Sequence, residues 1–376
     1  MSGPLAGKTI IEIGHMLAGP YCGMLLSDLG ARVIKVESPE GDIGRTIGPQ
    51  AAGGHNAYFA SLNRGKESVT LNLDSIEGKA GLARLVRMAD GLFTNLRPTA
   101  IKKLGLTYDS LKDIKPELAC LALTGYGLDG PYAESPAYDY VIQAMTGVLL
   151  LTGDPDGPPV KTGFSAVDNS AGIMGALGLV AKMLEGKGGQ LDVSMYDTMM
   201  SQLNYLASSY LNAGEDPGRI KDGAHPYIVP AQLFPTKDGY VVLFITHNKF
   251  WRLFATSLGE QDWLADTKFS TMAGRSANRE VVVTQIARRL MEKSADAWVE
   301  QLAPLGLVVA SICTLPDALN GALSASRDMV IEIPVDGGKL RLIGSAIKMP
   351  GEVQVFRAPP ALGEHNKLVS GRGGDG

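Results

Sequence analysis

The stretch Lys8-Thr-Ile-Ile-Glu-Ile-Gly14, the apolar-periodic run from Ala18 to Leu29, and Arg32-Val-Ile-Lys-Val-Glu37 together decide the fold. The outer two are short, apolar and β-branched, as buried strands are, whereas the middle run spaces its apolar residues as a helix does. Gly14, Gly19 and Gly30 mark the junctions. A crossover helix of this length joins parallel strands, so the segment reads as a β-α-β unit in a parallel sheet covered on both faces.

Outward from that unit the alternation continues more loosely. VTLNL (69–73), a helix from about Ser75 to Met88, GLFTNL (91–96), a helix near Thr99 to Leu104 and LACLALTGYG (118–127) predict a doubly wound α/β domain. Glycine and proline gather between Asp129 and Gly163, which predicts long loops over a sheet edge. From Asn169 to about Ala213 the pattern is helical, broken by EGKGGQLDVSM (185–195), which reads as a hairpin or an extra strand. The expected organisation is a large domain over 1–213, a polar glycine-rich linker at 214–224, a smaller α+β domain over 225–327, and a return segment, 328–376, completing the large domain. The small domain opens on LFPTKDGYVVLFI (233–245) and continues with helical runs at 249–258, 277–293 and 295–304. Strand character returns in MVIEIP, KLRLIG and KMP, and SGRGGDG reads as a frayed tail.

A chain of 376 residues with 45% hydrophobic and 20% charged residues is globular in composition, not disordered. Its formal charge of −4 lacks the basic footprint that a nucleic acid requires. Cys22, Cys120 and Cys313 are odd in number and far apart, so neither a disulfide framework nor a thiolate zinc site is expected, and a reducing cytoplasm fits. The N-terminal residues show no export signal, and no apolar run reaches the roughly 18 residues a membrane span needs. The five histidines are scattered without metal-ligand spacing, and no G-x-S-x-G elbow is present.

Glu37 at the end of the second strand resembles the ribose-binding acid of a dinucleotide fold. The turn Gly14-His15-Met16-Leu17-Ala18-Gly19 nevertheless lacks the G-x-G-x-x-G that brings backbone against a pyrophosphate. The helix start after the first strand can still receive a phosphate or carbonyl oxygen. Asp168 precedes an apolar helical run and has two readings: a helix N-cap, or a carboxylate kept ionised by the helix dipole and ready as a nucleophile. Small neighbours, Ser165, Ala166, Ser170, Ala171 and Gly172, leave room there for an acyl group. Arg64, Lys66, Arg97, Lys102 and Lys103 follow strand ends, as solvated surface or as phosphate contacts.

The runs GHMLAGPYC (14–22), LGARVIKVE (29–37), NRGK (63–66), NLRPTAIKKLGL (95–106), TGYGLDGPY (124–132), DNSAG (168–172), HPYIVPAQLFPTKDG (225–239) and APPALGEH (358–365) resemble, in order, the class III coenzyme A transferases. The resemblance implies a Rossmann-like large domain with a parallel sheet, built from both chain ends, a small α+β domain between them, and an interlocked homodimer. It implies Asp168 as the nucleophile that attacks an acyl-CoA thioester, giving an aspartyl anhydride and then an aspartyl-CoA thioester. His15, Leu17, Leu71, Asn95, Arg97, Ala100, Lys103 and Tyr138 are the implied CoA-binding residues, with Arg97 and Lys103 on the phosphates. Coenzyme A enters as a substrate, with an acyl-CoA and a small carboxylic acid as partners, and neither a permanent cofactor nor a metal is expected.

Leu17 and a single Gly223 stand where formyl-CoA transferases carry a glutamine and a glycine loop, which argues against formyl or oxalyl substrates. Ser38 and Asp74 stand where some relatives are basic. The related α-methylacyl-CoA racemases need two bases on opposite faces of the reacting carbon. Where that branch has Gly-His-Asp, this chain reads Ala137-Tyr138-Asp139. Racemisation is therefore the alternative activity, and a non-catalytic CoA-ester binding protein is the second alternative.

Overall fold

A computed structural model describes residues 3–349, 351 and 354–370. By its internal contacts the chain divides into two units. The first holds the residues up to Thr146, Gly163–Asn204 and those from Gly321 on; the second holds Gly147–Thr162 and Tyr205–Asn320.

In the first unit six strands, β1 (Thr9–Ile13), β2 (Arg32–Glu37), β3 (Glu67–Thr70), β4 (Gly91–Thr94), β5 (Ala119–Thr124) and β6 (Gly189–Ser194), form one sheet in the order β3-β2-β1-β4-β5-β6. Every pairing is parallel, and Ile13 stands beside Val36 on one side and Thr94 on the other. The β-branched runs become strands because both faces are covered: Ile10, Ile11, Val33, Ile34, Leu92 and Phe93 are buried. Helix Ala18–Asp28 is the crossover between β1 and β2, and helix Ile76–Met88, capped by Ser75, packs Leu82, Leu85 and Val86 into the core. The order reverses between β1 and β4, which opens a crevice at the carboxyl ends of the strands.

The segment 185–195 supplies β6, a sixth parallel strand on β5. The Gly/Pro-rich stretch expected as loops contains two short helices, Asp139–Met145 and Val148–Leu151; Asp139 and the apolar run behind it provide a helix start that the surrounding glycines and prolines obscure. β10 (Val330–Val335) and β11 (Gly338–Ile343) form their own antiparallel hairpin, packed on Ala60, and add no strand to the large sheet. The chain after them covers the open side of β3. His365 donates its backbone N–H to Ser68 O at 2.8 Å, Asn366 Oδ1 accepts from Thr70 N at 2.8 Å, and Val369 joins the core, which removes a free sheet edge. Lys348 and Met349 have no strand structure; Pro350 lies outside the described residues, and of the expected tail only Ser370 is described.

The second unit carries an antiparallel sheet β7-β8-β9 (Ala231–Pro235, Tyr240–Phe244, Val308–Ser311) and helices Asn248–Ser257, Arg279–Leu290 and Ala295–Leu302. Its core is aromatic, with Trp251, Trp263 and Phe269 stacked. Arg275 is fully buried without a carboxylate; its guanidinium donates to Val229 O and Phe269 O and lies over Trp251. Compared with the expected boundaries, Gly147–Thr162 and Tyr205–Ala213 group with this unit, and 214–224 lines one of its cavities. The reason is contact: Arg219 Nη1 donates to the carbonyls of Gly157 and Pro158, and these pieces line one cavity with residues of β7 and β8.

Candidate active site

Loops after four strands meet at the crevice. Residues 15–18 follow β1, Asn95–Pro98 follow β4, Thr124 and Gly125 close β5, and Met195 follows β6; they line a cavity of about 530 Å³. Asn95 ties two of these loops: Oδ1 accepts from His15 N at 3.1 Å and Nδ2 donates to His15 O at 2.9 Å. A Cβ on Gly14 would stand 2.1 Å from Asn95 Oδ1, and one on Gly19 would stand 2.9 Å from its Cγ. The glycines of the turn thus make room for an asparagine clamp, not for a pyrophosphate.

Beneath the loop lies a buried set of charges. Lys35 Nζ reaches Glu12 and Asp42 at 2.9 Å and donates to Gly14 O; Lys66 reaches Glu12 at 2.7 Å. Burial alone would depress the Lys35 ammonium, but the two carboxylates more than offset it and hold it above its ordinary value. Asp42 Oδ1 in turn accepts from the backbone of Gly44 and of Met16, which holds Met16 at a left-handed φ of 67°.

Helix Ala166–Glu185 points its start at the cavity. Asp139, only 4% exposed, caps it from the neighbouring helix: Oδ2 accepts from Val167 N at 2.8 Å and from Asp168 N at 3.3 Å, while Oδ1 accepts from Gln143. Asp168 is therefore not the N-cap. Its carboxyl lines the cavity without a hydrogen bond from any described residue. Burial, and then the charge on Asp139, push it up to about 7. The expectation that the helix start keeps Asp168 ionised well below neutrality is corrected, because burial disfavours the charged carboxyl first, and Asp139 both takes the N–H groups of Val167 and Asp168 and adds a like charge. The small residues have a second use as well. Ala171 and Gly172 are buried against helix Ala18–Asp28, where a Cβ on Gly172 would stand 2.9 Å from Ala18 O, so they serve helix packing and leave no acyl space.

Seven of the nine expected residues, His15, Leu17, Asn95, Arg97, Ala100, Tyr138 and Asp168, line this cavity. Leu71 is buried in the core and touches an adjoining cavity of about 590 Å³ that His15 also lines. Burial, reinforced by Lys35 and opposed by Asp42, lowers the His15 imidazole from its ordinary value. Lys103 lies outside both linings, exposed and paired with Asp74 at 2.7 Å. Arg97 is exposed and makes no ion pair with a described residue. Arg64 and Lys66 are corrected as phosphate candidates: both are buried, bound to Asp28 and Glu12. Glu37 is likewise spent on Arg45, Ser68 and Asp42 N, which leaves nothing to hold a ribose.

Sequence reasoning missed two residues. Asp139 stood in the tripeptide weighed for racemisation, and an acid opening an apolar-periodic run is the signal that could have found it. Tyr58 lines the cavity, and burial and then the Asp168 charge raise its hydroxyl; nothing local in the sequence marks it. Among the described residues no cluster of His, Cys, Asp and Glu could hold a metal ion, and no helix is long and apolar enough to cross a membrane.

The chain is 34% identical to an acetyl-CoA:oxalate CoA-transferase of Acetobacter aceti, covering 96% of this chain and 92% of that one. It is 34% identical to a succinate–glutarate CoA-transferase of Agrobacterium fabrum, over 97% and 94%. The crystal structure of a CaiB/BaiF family protein from Brucella suis superposes with a TM-score of 0.85 at 34% identity, covering 98% of this chain and 99% of that one. With the profile of CoA-transferase family III matching residues 5–366, the chain belongs to that family of enzymes.

Proposed function

We propose that the protein moves coenzyme A from an acyl-CoA to a short free carboxylic acid through covalent intermediates on Asp168. The Asp168 carboxylate attacks the thioester carbonyl; a C–O bond forms, the C–S bond breaks, and CoA thiolate leaves. The thiolate attacks the aspartyl carbonyl of the resulting anhydride, giving an aspartyl-CoA thioester and releasing the donor acid. The acceptor carboxylate then displaces CoA thiolate to form a second anhydride. Attack of the thiolate on the acceptor's acyl carbon yields the new acyl-CoA and frees Asp168. No net proton or electron is exchanged, and each intermediate keeps its acyl group activated.

The observation that carries this reading is the unbonded Asp168 carboxyl facing the cavity. The relatives named for oxalate and glutarate support a short carboxylic acid as acceptor. Racemisation is disfavoured by the second base it needs, since Tyr138 replaces the histidine and Asp139 is engaged by the helix start. Wild type incubated with acyl-CoA should give a hydroxylamine-sensitive adduct on Asp168 by peptide mass spectrometry. Asp168→Ala should fold and lose transfer; wild-type turnover in that variant would sink the mechanism.

Arg97 and Lys103 serve the CoA phosphates in this reading, remote from the thioester. Arg97→Ala/Lys103→Ala should raise the KM for acyl-CoA more than it lowers kcat. Unchanged KM would move the phosphate site elsewhere.

A further inference from the structure

Within the second unit, residues of 151–153, 205–206, 215–227 and strands β7 and β8 line a separate cavity of about 780 Å³. His225 stands in its wall and is held at every polar atom except one. Its backbone N–H donates to Ala231 O at 2.8 Å, and its carbonyl accepts from Arg279 Nη2 at 2.9 Å. Its ring Nδ1 accepts from Tyr227 N at 3.1 Å and Ile228 N at 3.2 Å. Two N–H donors on Nδ1 place the ring proton on Nε2, so the imidazole is a fixed donor with Nε2–H as its one unengaged group. Tyr205 stacks on the ring, and Tyr227 and Phe244 meet it edge-on, which fixes its plane.

Gln232 supplies an independent sign of a ligand. It is only 5% exposed, it lines the same cavity from β7, and its side-chain amide makes no hydrogen bond to any described residue. The amide is thus open to the cavity, with its donor and acceptor available to a ligand. Arg219 adds charge: it lines the cavity, spends Nη1 on the carbonyls of Gly157 and Pro158, and forms no ion pair with a described residue. Two carboxylates also line the cavity; Glu215 accepts from the Tyr227 hydroxyl, and Asp216 adjoins it. A neutral fixed donor, an amide donor and an unpaired guanidinium between aromatic walls suit a small carboxylate, one oxygen to His225 Nε2 and the other to Gln232, with Arg219 as the cation of the lining.

We propose that this cavity is a carboxylic-acid site, with His225, Gln232 and Arg219 recognising the carboxylate of a short acid. In linking that acid to the transfer reaction the inference rests on the proposed CoA-transferase function. The binding itself does not depend on that reading.

The test is isothermal titration of the full chain carrying Asp168→Ala, so that no covalent chemistry intervenes, with acetate, succinate and glutarate as probes. At least one acid should bind, and Gln232→Met and Arg219→Gln should each weaken it at least tenfold. His225→Phe should do the same, and the other two substitutions report should this variant fail to fold. In the wild-type background these changes should leave the KM for acyl-CoA unchanged, since this cavity shares no lining residue with the one that holds Asp168. Binding of none of the three acids, or binding indifferent to Gln232→Met and Arg219→Gln, would overturn the cavity and leave the role of Asp168 standing. Failure of wild type to transfer CoA from any thioester would instead overturn the proposed function, with the titration still deciding the cavity.

Discussion

Asp139 and Asp168 carry the same group at the start of one helix, and their surroundings set them to opposite work. Asp139 spends its oxygens on backbone N–H groups and Gln143, while Asp168 keeps its own free and is pushed up to about 7 by burial and by that neighbour. With a folded value near 7 against 3.8 for an ordinary aspartate, the folded state holds the extra proton between those limits. The stability contributed by this group therefore falls as pH rises through that window, by up to about 4 kcal/mol. Asp168→Asn should thus gain on wild type in urea unfolding between pH 5 and pH 8; a difference that stays flat would contradict the raised value. The acid limb of the kcat/KM profile should rise through neutrality as the nucleophile ionises. Asp139→Asn, which removes the like charge, should move that limb to lower pH. An unmoved limb would leave Asp139 as a helix cap alone. The position of Asp168 at a helix start was legible from the small and apolar residues around it. Its ionisation was not, because the burial that raises it and the Asp139 charge, 29 residues away, arise only through tertiary packing.

Among elements, the β1–helix–β2 unit was legible because a buried parallel strand needs a continuous β-branched run and the crossover needs a helical period. What was not legible is why its turn carries two glycines. Asn95, at the end of β4, occupies the space where their side chains would be. Gly14→Ala should cost about 1–3 kcal/mol by overpacking and should displace the His15 loop, lowering transfer. In an Asn95→Ala background the same change should cost much less, and denaturant melts of the four proteins of this cycle measure the coupling. Strictly additive costs would show that the glycines answer to something else. Helix Asp139–Met145 and β9 were missed for a related reason: the first is hidden among turn-forming residues, and the second is four residues long and pairs with β8, more than 60 residues away.

At the scale of the whole molecule, we propose that two copies form an obligate, interlocked homodimer. The chain passes from the first unit to the second after Asn204 and returns at Gly321. Helix Asn204–Ala213, at the first of these crossings, has no buried residue and leaves Tyr210 at 58% and Leu211 at 77% exposure, apolar surface suited to a second copy. Such a dimer would bury more than the standard interface of about 1,600 Å² and separate only on unfolding. Sedimentation should show no dissociation down to nanomolar concentration, with loss of the dimer coinciding with loss of fold; a folded monomer on dilution would rule it out. The amino-acid sequence by itself determined the parallel α/β unit, the motifs of the family and the identity of the candidate nucleophile. These rest on local periodicity and on residue types fixed in order along the chain. The tertiary structure alone decided which carboxylate caps the helix, which bases are spent in buried ion pairs, why the turn needs glycine, and that the return segment shields β3 without extending the sheet. Each of these is a meeting of groups distant in sequence, and burial, charge and close contact exist only once the chain has folded.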